Sequence, residues 1–366
     1  MFECNQLWRT LYIGNNGLVN FCCYWENNEC QTEQDDLLNY PHLVKARKDA
    51  VAGIQPKGCS TCVAREQYGA NVRERSKELF SNPSNFNAIL APDQIEMIDV
   101  RVGNTCNFMC TICNSTNSHL IAKEEGRKDF YISWTSKQSN SIFDLLSRCI
   151  NLKHIIVAGG EPFYNKSQLI KILQSVYNRR NNLTVQILTN ASIYDEDILS
   201  LLKEFKITII NLSIDSLSQS NELQRWKADN KQLLDNFFKF ISFLDKPYNN
   251  YFNINPAISN LTLPDIQKLF TYFDRQERIN RIVPNYVTDP AYMSINTLRL
   301  NYRLNLANKL EKITFNKVRN YSKFVNYLKT APETNKYYNI FVKKFKTYKI
   351  KRKLFIPQEF YEILAQ

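Results

Sequence analysis

No stretch of this 366-residue chain approaches the run of about 18 apolar residues that a membrane-spanning helix needs. The first residues, MFECNQLW, lack both a basic segment and a long apolar one. A secretory signal is therefore not expected, and a cytoplasmic location is. Histidine is scarce: His42, His119 and His154 are the only three, and no two stand at metal-binding spacing. His154 opens an expected buried strand and reads as a core residue. There is no zinc finger, no RNA-recognition signature, no G-x-x-G clamp and no repeat of fixed period. Hydrophobic residues at 44% and charged residues at 22% describe an ordinary globular chain, long enough for one large domain and one or two small modules.

What is abundant is cysteine. The ten are at 4, 22, 23, 30, 59, 62, 106, 110, 113 and 149, eight of them within the first 110 residues. A disulfide framework suits short secreted chains, which this is not. C-x-x-C and C-x-x-x-C patterns in such a chain read better as metal ligands. Cys30 matches no motif, and Cys149 in FDLLSRCI reads as an apolar helix residue. The net charge of +12 fits a solvated basic surface or a face for an acidic partner such as nucleic acid. It concentrates in KKFKTYKIKRK (343–353).

Residues 1–80 read as a small cysteine module. LYIGNNGLVNFC predicts a hairpin turning at 14–17. A helix is expected near 36–50, ending at Gly53, and a charged helix after the C-x-x-C at 59–62. The polar run SNPSNFN (81–87) marks a linker over 81–94. From 95 the pattern alternates strand and helix. Strands are expected at 95–102, 154–158, 183–189, 207–214, 251–258 and 281–287. Helices are expected at 115–126, 138–150, 165–180, 194–205, 217–245 and 263–279. Six such units imply a parallel sheet. The fold class expected is α/β: a partial (β/α)6 TIM-like barrel over 95–290, with the N-terminal module before it and a helical, basic extension over 291–366.

The sharpest signal is RVGNTCNFMCTICN (101–114). Cys106, Cys110 and Cys113 follow the first barrel strand, where β/α folds place their chemistry. Three thiolates can hold three irons of a [4Fe–4S] cube and leave the fourth iron open to bind a substrate. Gly159-Gly160-Glu161-Pro162 follows the second strand, Thr189-Asn190 ends the third, and Ser213 and Asp215 end the fourth. Together, in this order, these segments resemble the radical S-adenosylmethionine (SAM) superfamily. Two positions depart from its pattern. Ile112 stands where the family usually has an aromatic residue, and Ala191 replaces the usual glycine, so a positive φ there is harder to reach.

The resemblance implies an enzyme whose cofactors are SAM and a [4Fe–4S] cluster on Cys106, Cys110 and Cys113. The open iron binds the methionine amino and carboxylate groups. The Gly159-Gly160 turn, with Glu161, lets backbone approach the amino group. Ser213 hydrogen-bonds the carboxylate or ribose, Asn190 helps in the same region, and Asp215 is a further cofactor-binding residue. One electron then breaks the C5′–S bond, and the 5′-deoxyadenosyl radical abstracts hydrogen from a substrate. A small reductant protein such as a flavodoxin or ferredoxin is the implied partner, and no membrane is involved.

Cys4, the Cys22-Cys23 pair, Cys59 and Cys62 form a second set whose spacing fits zinc or a second iron–sulfur cluster. The segments CNQLW, IGNNGLVNFCCYW and KGCSTCVAREQYGANVR resemble the auxiliary-cluster module of twitch or SPASM-type radical enzymes. That resemblance implies a second [4Fe–4S] cluster, with Cys22, five residues after Gly17, as the ligand of its pair. Cys23 is in phase with Val19 and Phe21 and fits a core position. Asp99 and Arg101 on the first barrel strand are candidates to face substrate, as are Tyr164 and Tyr286 near strand ends. The substrate itself is open among a ribosomally made peptide, a sugar or aminoglycoside, and another small molecule. Two rival readings are a nucleic-acid-binding or RNA-modifying protein and a non-catalytic zinc protein.

Overall fold

The structure, a computed structural model, describes residues 2–25, 36–67, 73, 76, 79–80, 82–83, 85–245 and 250–353. Cys30 lies outside them. Among these residues the helices are α1 (Gln6–Arg9), α2 (Pro41–Val51), α3 (Ser60–Gln67), α4 (His119–Glu124), α5 (Ser136–Arg148), α6 (Lys166–Ser175), α7 (Glu196–Lys203), α8 (Gln219–Gln224), α9 (Asn230–Phe243), α10 (Ile266–Asp274), α11 (Leu300–Leu310), α12 (Tyr321–Thr330) and α13 (Tyr338–Arg352). The strands are β1 (Thr10–Ile13), β2 (Val19–Asn20), β3 (Met97–Arg101), β4 (Met109–Cys110), β5 (His154–Ala158), β6 (Thr184–Thr189), β7 (Ile207–Leu212), β8 (Arg225–Trp226), β9 (Asn250–Ile254), β10 (Ala257–Ile258), β11 (Arg281–Ile282) and β12 (Asn285–Tyr286). No helix is long and apolar enough to cross a membrane among the described residues.

The chain forms two compact units. One comprises Met1–Thr105, Lys128–Ile187 and Glu196–Thr208; the other comprises Cys106–Arg127, Leu188–Asp195 and Ile209–Gln366. The α/β class read from the sequence is observed, with parallel strands joined through helices.

In the first unit β1 and β2 make the expected hairpin, Tyr12 opposite Asn20, with Gly17 at φ +77° in its turn. β1 also pairs in parallel with β3, Thr10 to Met97 through Ile13 to Val100. The cysteine-bearing N-terminus is thus stitched to the sheet by main-chain hydrogen bonds. β3 pairs with β5, and β5 with β6, all in parallel. Ile98, Val100, Ile155 and Val157 are fully buried, each stabilising the sheet by about 1.5–3 kcal/mol. α5 starts where its sequence says it should. Thr135 Oγ1 accepts the Gln138 N–H (3.2 Å), and Gln138 Oε1 accepts the Thr135 N–H (2.8 Å), a reciprocal cap. Ile142, Leu145, Leu146 and Cys149 form its buried stripe.

In the second unit β9 pairs in parallel with β11 and β10 with β12. The sequence predicts two unbroken strands here, 251–258 and 281–287. Each is interrupted at a proline, Pro256 and Pro284, which has no N–H to give the ladder. The Pro256 carbonyl still accepts the Asn285 N–H at 3.0 Å, so pairing resumes beyond the break. The expected helix over 217–245 is also not continuous. It is split by β8, and Lys227 takes φ +81°. Arg225 and Trp226 leave the helix to pair antiparallel with Cys110 and Met109. Helices α11 to α13 lie in the C-terminal stretch expected to be helical and basic, and α13 orders the run that reads as a surface tail.

Candidate functional site

The three-cysteine loop belongs to the second unit and is fastened at several points. The Cys106 N–H donates to His119 Nδ1 (3.2 Å), and the Phe108 N–H points at Cys106 Sγ (3.4 Å). Cys110 lies in the β4–β8 ladder opposite Arg225. The next residue, Thr111, donates its N–H to the Gln224 carbonyl at 2.7 Å. The Cys113 N–H donates to the Cys110 carbonyl (3.1 Å), so the last two thiols sit on one tight turn.

Burial pushes the Cys110 thiol up to about 12 and the Cys113 thiol up as well. A buried thiolate needs positive charge beside it. The Arg225 guanidinium opposes the shift at both cysteines, and Arg352 opposes it at Cys110. Three sulfur donors on one loop, one buried and two half-buried, with cations already facing them, fit an iron–sulfur cluster chemically.

The family-like segments fall as follows. In the first unit, Gly159-Gly160-Glu161 turns out of β5 with Gly159 at φ +140°. The Gly160 N–H donates to Gly103 O (2.8 Å), and the Glu161 N–H donates to Thr105 O (2.9 Å). Thr105 immediately precedes Cys106, so this turn is hydrogen-bonded to the backbone that launches the cysteine loop. Glu161 is buried, and its carboxylate accepts the Phe163 N–H (3.1 Å), which braces its own turn.

In the second unit, Asn190 donates to Asn107 Oδ1 (3.1 Å) and accepts from Ser192 Oγ (2.6 Å). Asn107 in turn donates to Ser192 Oγ (2.8 Å). The residue after Cys106 is thereby tied to the end of β6. Ala191 does reach a positive φ, +54°, which costs a non-glycine residue roughly 1–2 kcal/mol. Its N–H is held by Thr189 Oγ1 and its carbonyl by Asn236 Nδ2, both at 2.9 Å. The Ser213 N–H donates to Thr189 O (2.8 Å), while its hydroxyl has no partner among the described residues. Asp215 is fully buried. It binds Arg225 Nε at 2.7 Å and accepts the Ala257 N–H at 2.7 Å and Gln224 Nε2 at 2.5 Å. Its carboxylate is thus committed to Arg225, the residue facing Cys110, rather than free for the cofactor as expected, because both oxygens of the buried group are already taken by Arg225, Gln224 and Ala257.

Three contributors escape motif reading. Arg225 and Gln224 look like ordinary helix residues in the sequence. Arg352 lies about 240 residues beyond the loop it serves, inside a stretch that reads as a surface tail. It is 4% exposed, donates to the Met109 carbonyl (3.0 Å) and bonds both oxygens of Glu124 (2.9 and 2.5 Å). It stacks on Tyr348, 4.1 Å from the ring centre. The Arg352 guanidinium holds the Glu124 carboxyl below its ordinary range.

In the first unit, Cys4, Cys22, Cys59 and Cys62 line one cavity, together with Phe21, Trp25 and Arg73. The expected ligand set is brought together, with Cys22 rather than Cys23 facing the cavity. Cys23 is exposed, so its expected core position is not what the structure shows: residues 21–24 leave the strand as a turn. Burial pushes the Cys59 thiol up to about 12, raised further by Cys4 and Cys62, with Arg73 opposing. Among the described residues no group of three or more His, Cys, Asp or Glu is arranged to hold a single metal ion; these four thiols ring a void.

The remaining candidates are placed as follows. Asp99 and Arg101 pair with each other at 2.8 Å, under the Tyr12 ring. Tyr286 stacks on Tyr327 at 4.5 Å and is a packing residue. Tyr164 is exposed, and Cys149 is buried as expected. Burial holds His154 down to about 4, the neutral core state expected of it.

Comparison with known proteins gives the following similarities. The Radical SAM superfamily model matches residues 100–247, the span from β3 through α9. Among curated proteins, the radical SAM cyclopropyl synthase TigE of Paramaledivibacter caminithermalis is 28% identical over 200 residues, 51% of this chain and 39% of that protein. Among solved structures, native anSMEcpe with bound AdoMet is 16% identical with a TM-score of 0.46, covering 65% of this chain and 67% of that one. SuiB of Streptococcus suis is 14% identical with a TM-score of 0.43, covering 74% and 60%. Residues 100–247 are a radical SAM domain. It spans about two fifths of the length of the curated relative it matches.

Proposed function

We propose that this chain cleaves SAM reductively at a [4Fe–4S] cluster held by Cys106, Cys110 and Cys113, and uses the resulting 5′-deoxyadenosyl radical to abstract hydrogen from a substrate. The observation that carries the reading is the three-thiol loop directly after β3, with Cys106 buried and Cys110 and Cys113 half-buried, inside the matched domain. When bound, the cluster supplies one electron and an open iron for the methionine end of the cofactor. The protein's part is positioning. His119, Gln224 and Arg352 fix the loop backbone, while Arg225 and Arg352 place positive charge against Cys110. Gly159 and Gly160 keep the β5 turn free of side chains, and the unpartnered Ser213 hydroxyl is available to the cofactor carboxylate or ribose. Asn190 holds the loop through Asn107. Asp215 acts through Arg225, as a positioning residue.

The N-terminal set Cys4, Cys22, Cys59 and Cys62 supports a second [4Fe–4S] cluster, which we assign to the module over 1–80. Four thiols lining one cavity are the donor set of a [4Fe–4S] cube. With four protein ligands, this cluster has no open iron and suits electron transfer. The substrate is a peptide, a sugar or another small molecule. TigE is a cyclopropyl synthase by name, so ring-forming hydrogen abstraction is the first reaction to assay. Free thiols on this scale suit a reducing cytoplasm.

The test is anaerobic reconstitution followed by turnover with SAM and dithionite, reading 5′-deoxyadenosine. The triple variant Cys106→Ala, Cys110→Ala, Cys113→Ala should lose about four irons per chain (one cube) and all cleavage. Undiminished 5′-deoxyadenosine from that variant refutes the assignment.

A further inference from the structure

The cavity lined by Cys4, Cys22, Cys59 and Cys62 has a mostly apolar wall. Leu7, Phe21 and Trp25 contribute to it, and among the described residues that line it Arg73 alone carries a charge at neutral pH. Burial pushes the Cys4 and Cys59 thiols up, because apolar surroundings penalise negative charge. The Arg73 guanidinium opposes the shift at both, and the Ser76 hydroxyl opposes it at Cys4. Reduction adds a negative charge to a cluster that is already anionic. The apolar wall therefore resists reduction, and the cation and the hydroxyl favour it.

Arg73 is fixed from several sides. Its Nε donates to Glu66 Oε2 (2.7 Å), and its backbone N–H donates to Glu66 Oε1 (2.8 Å). Its guanidinium lies over the Phe2 ring, 4.5 Å from the centre. Glu66 follows Cys62 by four residues in α3, so the two share a helix face. The helix that carries a thiol thus also carries the carboxylate that aims the cation. Ser76 is buried and accepts the Asn5 N–H (3.1 Å). Its hydroxyl proton has two acceptors in reach, the Arg73 carbonyl at 2.6 Å and Cys4 Sγ at 3.6 Å.

We propose that the Glu66–Arg73 pair sets the reduction potential of the N-terminal cluster. Arg73 raises it by holding positive charge against Cys4 and Cys59, Ser76 adds a hydrogen bond to Cys4, and Glu66 both fixes the guanidinium and moderates its charge. This rests on the reading of the four cysteines as cluster ligands. Arg73 acts through the thiolates and is not itself a ligand.

The experiment is an anaerobic redox titration of the reconstituted full-length protein with dithionite and mediators. The readout is the EPR signal of the N-terminal cluster, the one that added SAM leaves unaltered. The cluster gains one electron from dithionite, and no bond or proton moves. Arg73→Met should disfavour reduction about tenfold, a fall of about 59 mV for one electron. Arg73→Lys keeps the charge and should recover most of that fall. Ser76→Ala should give a smaller fall. Glu66→Gln should shift the potential the opposite way, because it removes a negative charge and keeps an acceptor for Arg73. A pair that merely ties residue 73 to α3 would leave the potential unchanged, or move it in one direction for both Arg73→Met and Glu66→Gln; either result overturns the proposal. If Arg73→Met fails to hold its N-terminal iron, Glu66→Gln decides, and a potential that does not rise overturns the proposal. If the unaltered protein binds no iron at these four cysteines, the cluster reading itself fails and the tuning falls with it.

Discussion

Replacing Gly160 by alanine puts a methyl group where backbone already stands. A Cβ built there lies 2.2 Å from the Thr105 carbonyl oxygen, 2.6 Å from its carbonyl carbon and 2.8 Å from the Asn104 carbonyl carbon. Non-bonded heavy atoms need about 3.5 Å, so the two segments must part by roughly 1.3 Å. That separation breaks the Glu161 N–H bond to Thr105 (2.9 Å) and strains the Gly160 N–H bond to Gly103 (2.8 Å). Each is worth about 1 kcal/mol net, and overpacking of this kind adds about 1–3 kcal/mol. The expected loss is therefore about 3–5 kcal/mol, or roughly 6–10 °C in Tm at about 2 °C per kcal/mol for a chain of this size. Because Thr105 leads directly into Cys106, the shift is passed to the cysteine loop. Iron on that loop and SAM binding should fall together. The control is Gly126→Ala. Gly126 also has a positive φ, +77°, yet an added Cβ meets nothing within 4 Å. It should cost only about 1–2 kcal/mol and keep its iron. Iron content after reconstitution, thermal unfolding and SAM titration measure all three effects. A Gly160→Ala protein with full iron and an unchanged Tm would refute the steric argument.

Two further outcomes follow from the same geometry. Cys22→Ser should remove the iron of the N-terminal site while leaving some uncoupled SAM cleavage, whereas Cys23→Ser should keep that iron, because only Cys22 lines the four-thiol cavity; iron analysis showing the reverse would exchange their roles. Arg352→Met should cost about 2 kcal/mol, since it removes charged hydrogen bonds to Glu124 and one to Met109, and it should lower iron loading at Cys110. The Glu124 carboxyl is depressed in the folded state, so its contribution is present above the ordinary glutamate value of about 4.3 and is lost as pH falls through the lower folded value. The stability gap between the two proteins should be flat at neutral pH and shrink only below about pH 4; denaturant titrations across pH would contradict this if the gap vanished nearer neutrality.

The local features were legible because their causes are local. The hairpin around Gly17, the reciprocal cap of Thr135 with Gln138, the strand at 154–158 and the three cysteines after β3 all follow from side-chain spacing and backbone preference within a few residues. The sequence by itself thus determined the α/β class and the alternation of the main parallel strands with helices. Only the tertiary structure decided the rest. Arg225 and Trp226 sit in a helical pattern, but pairing with Cys110 and Met109 outweighs that weak preference and opens the helix. Ala191 takes a left-handed conformation because Thr189 and Asn236 hold both its backbone groups. Cys4, Cys22, Cys59 and Cys62 share a cavity because the chain between them folds back, a distance no spacing rule encodes. Arg352 guards the Met109 carbonyl from the far end of the chain, because a buried guanidinium is stable only where a carboxylate and a carbonyl can meet its N–H groups.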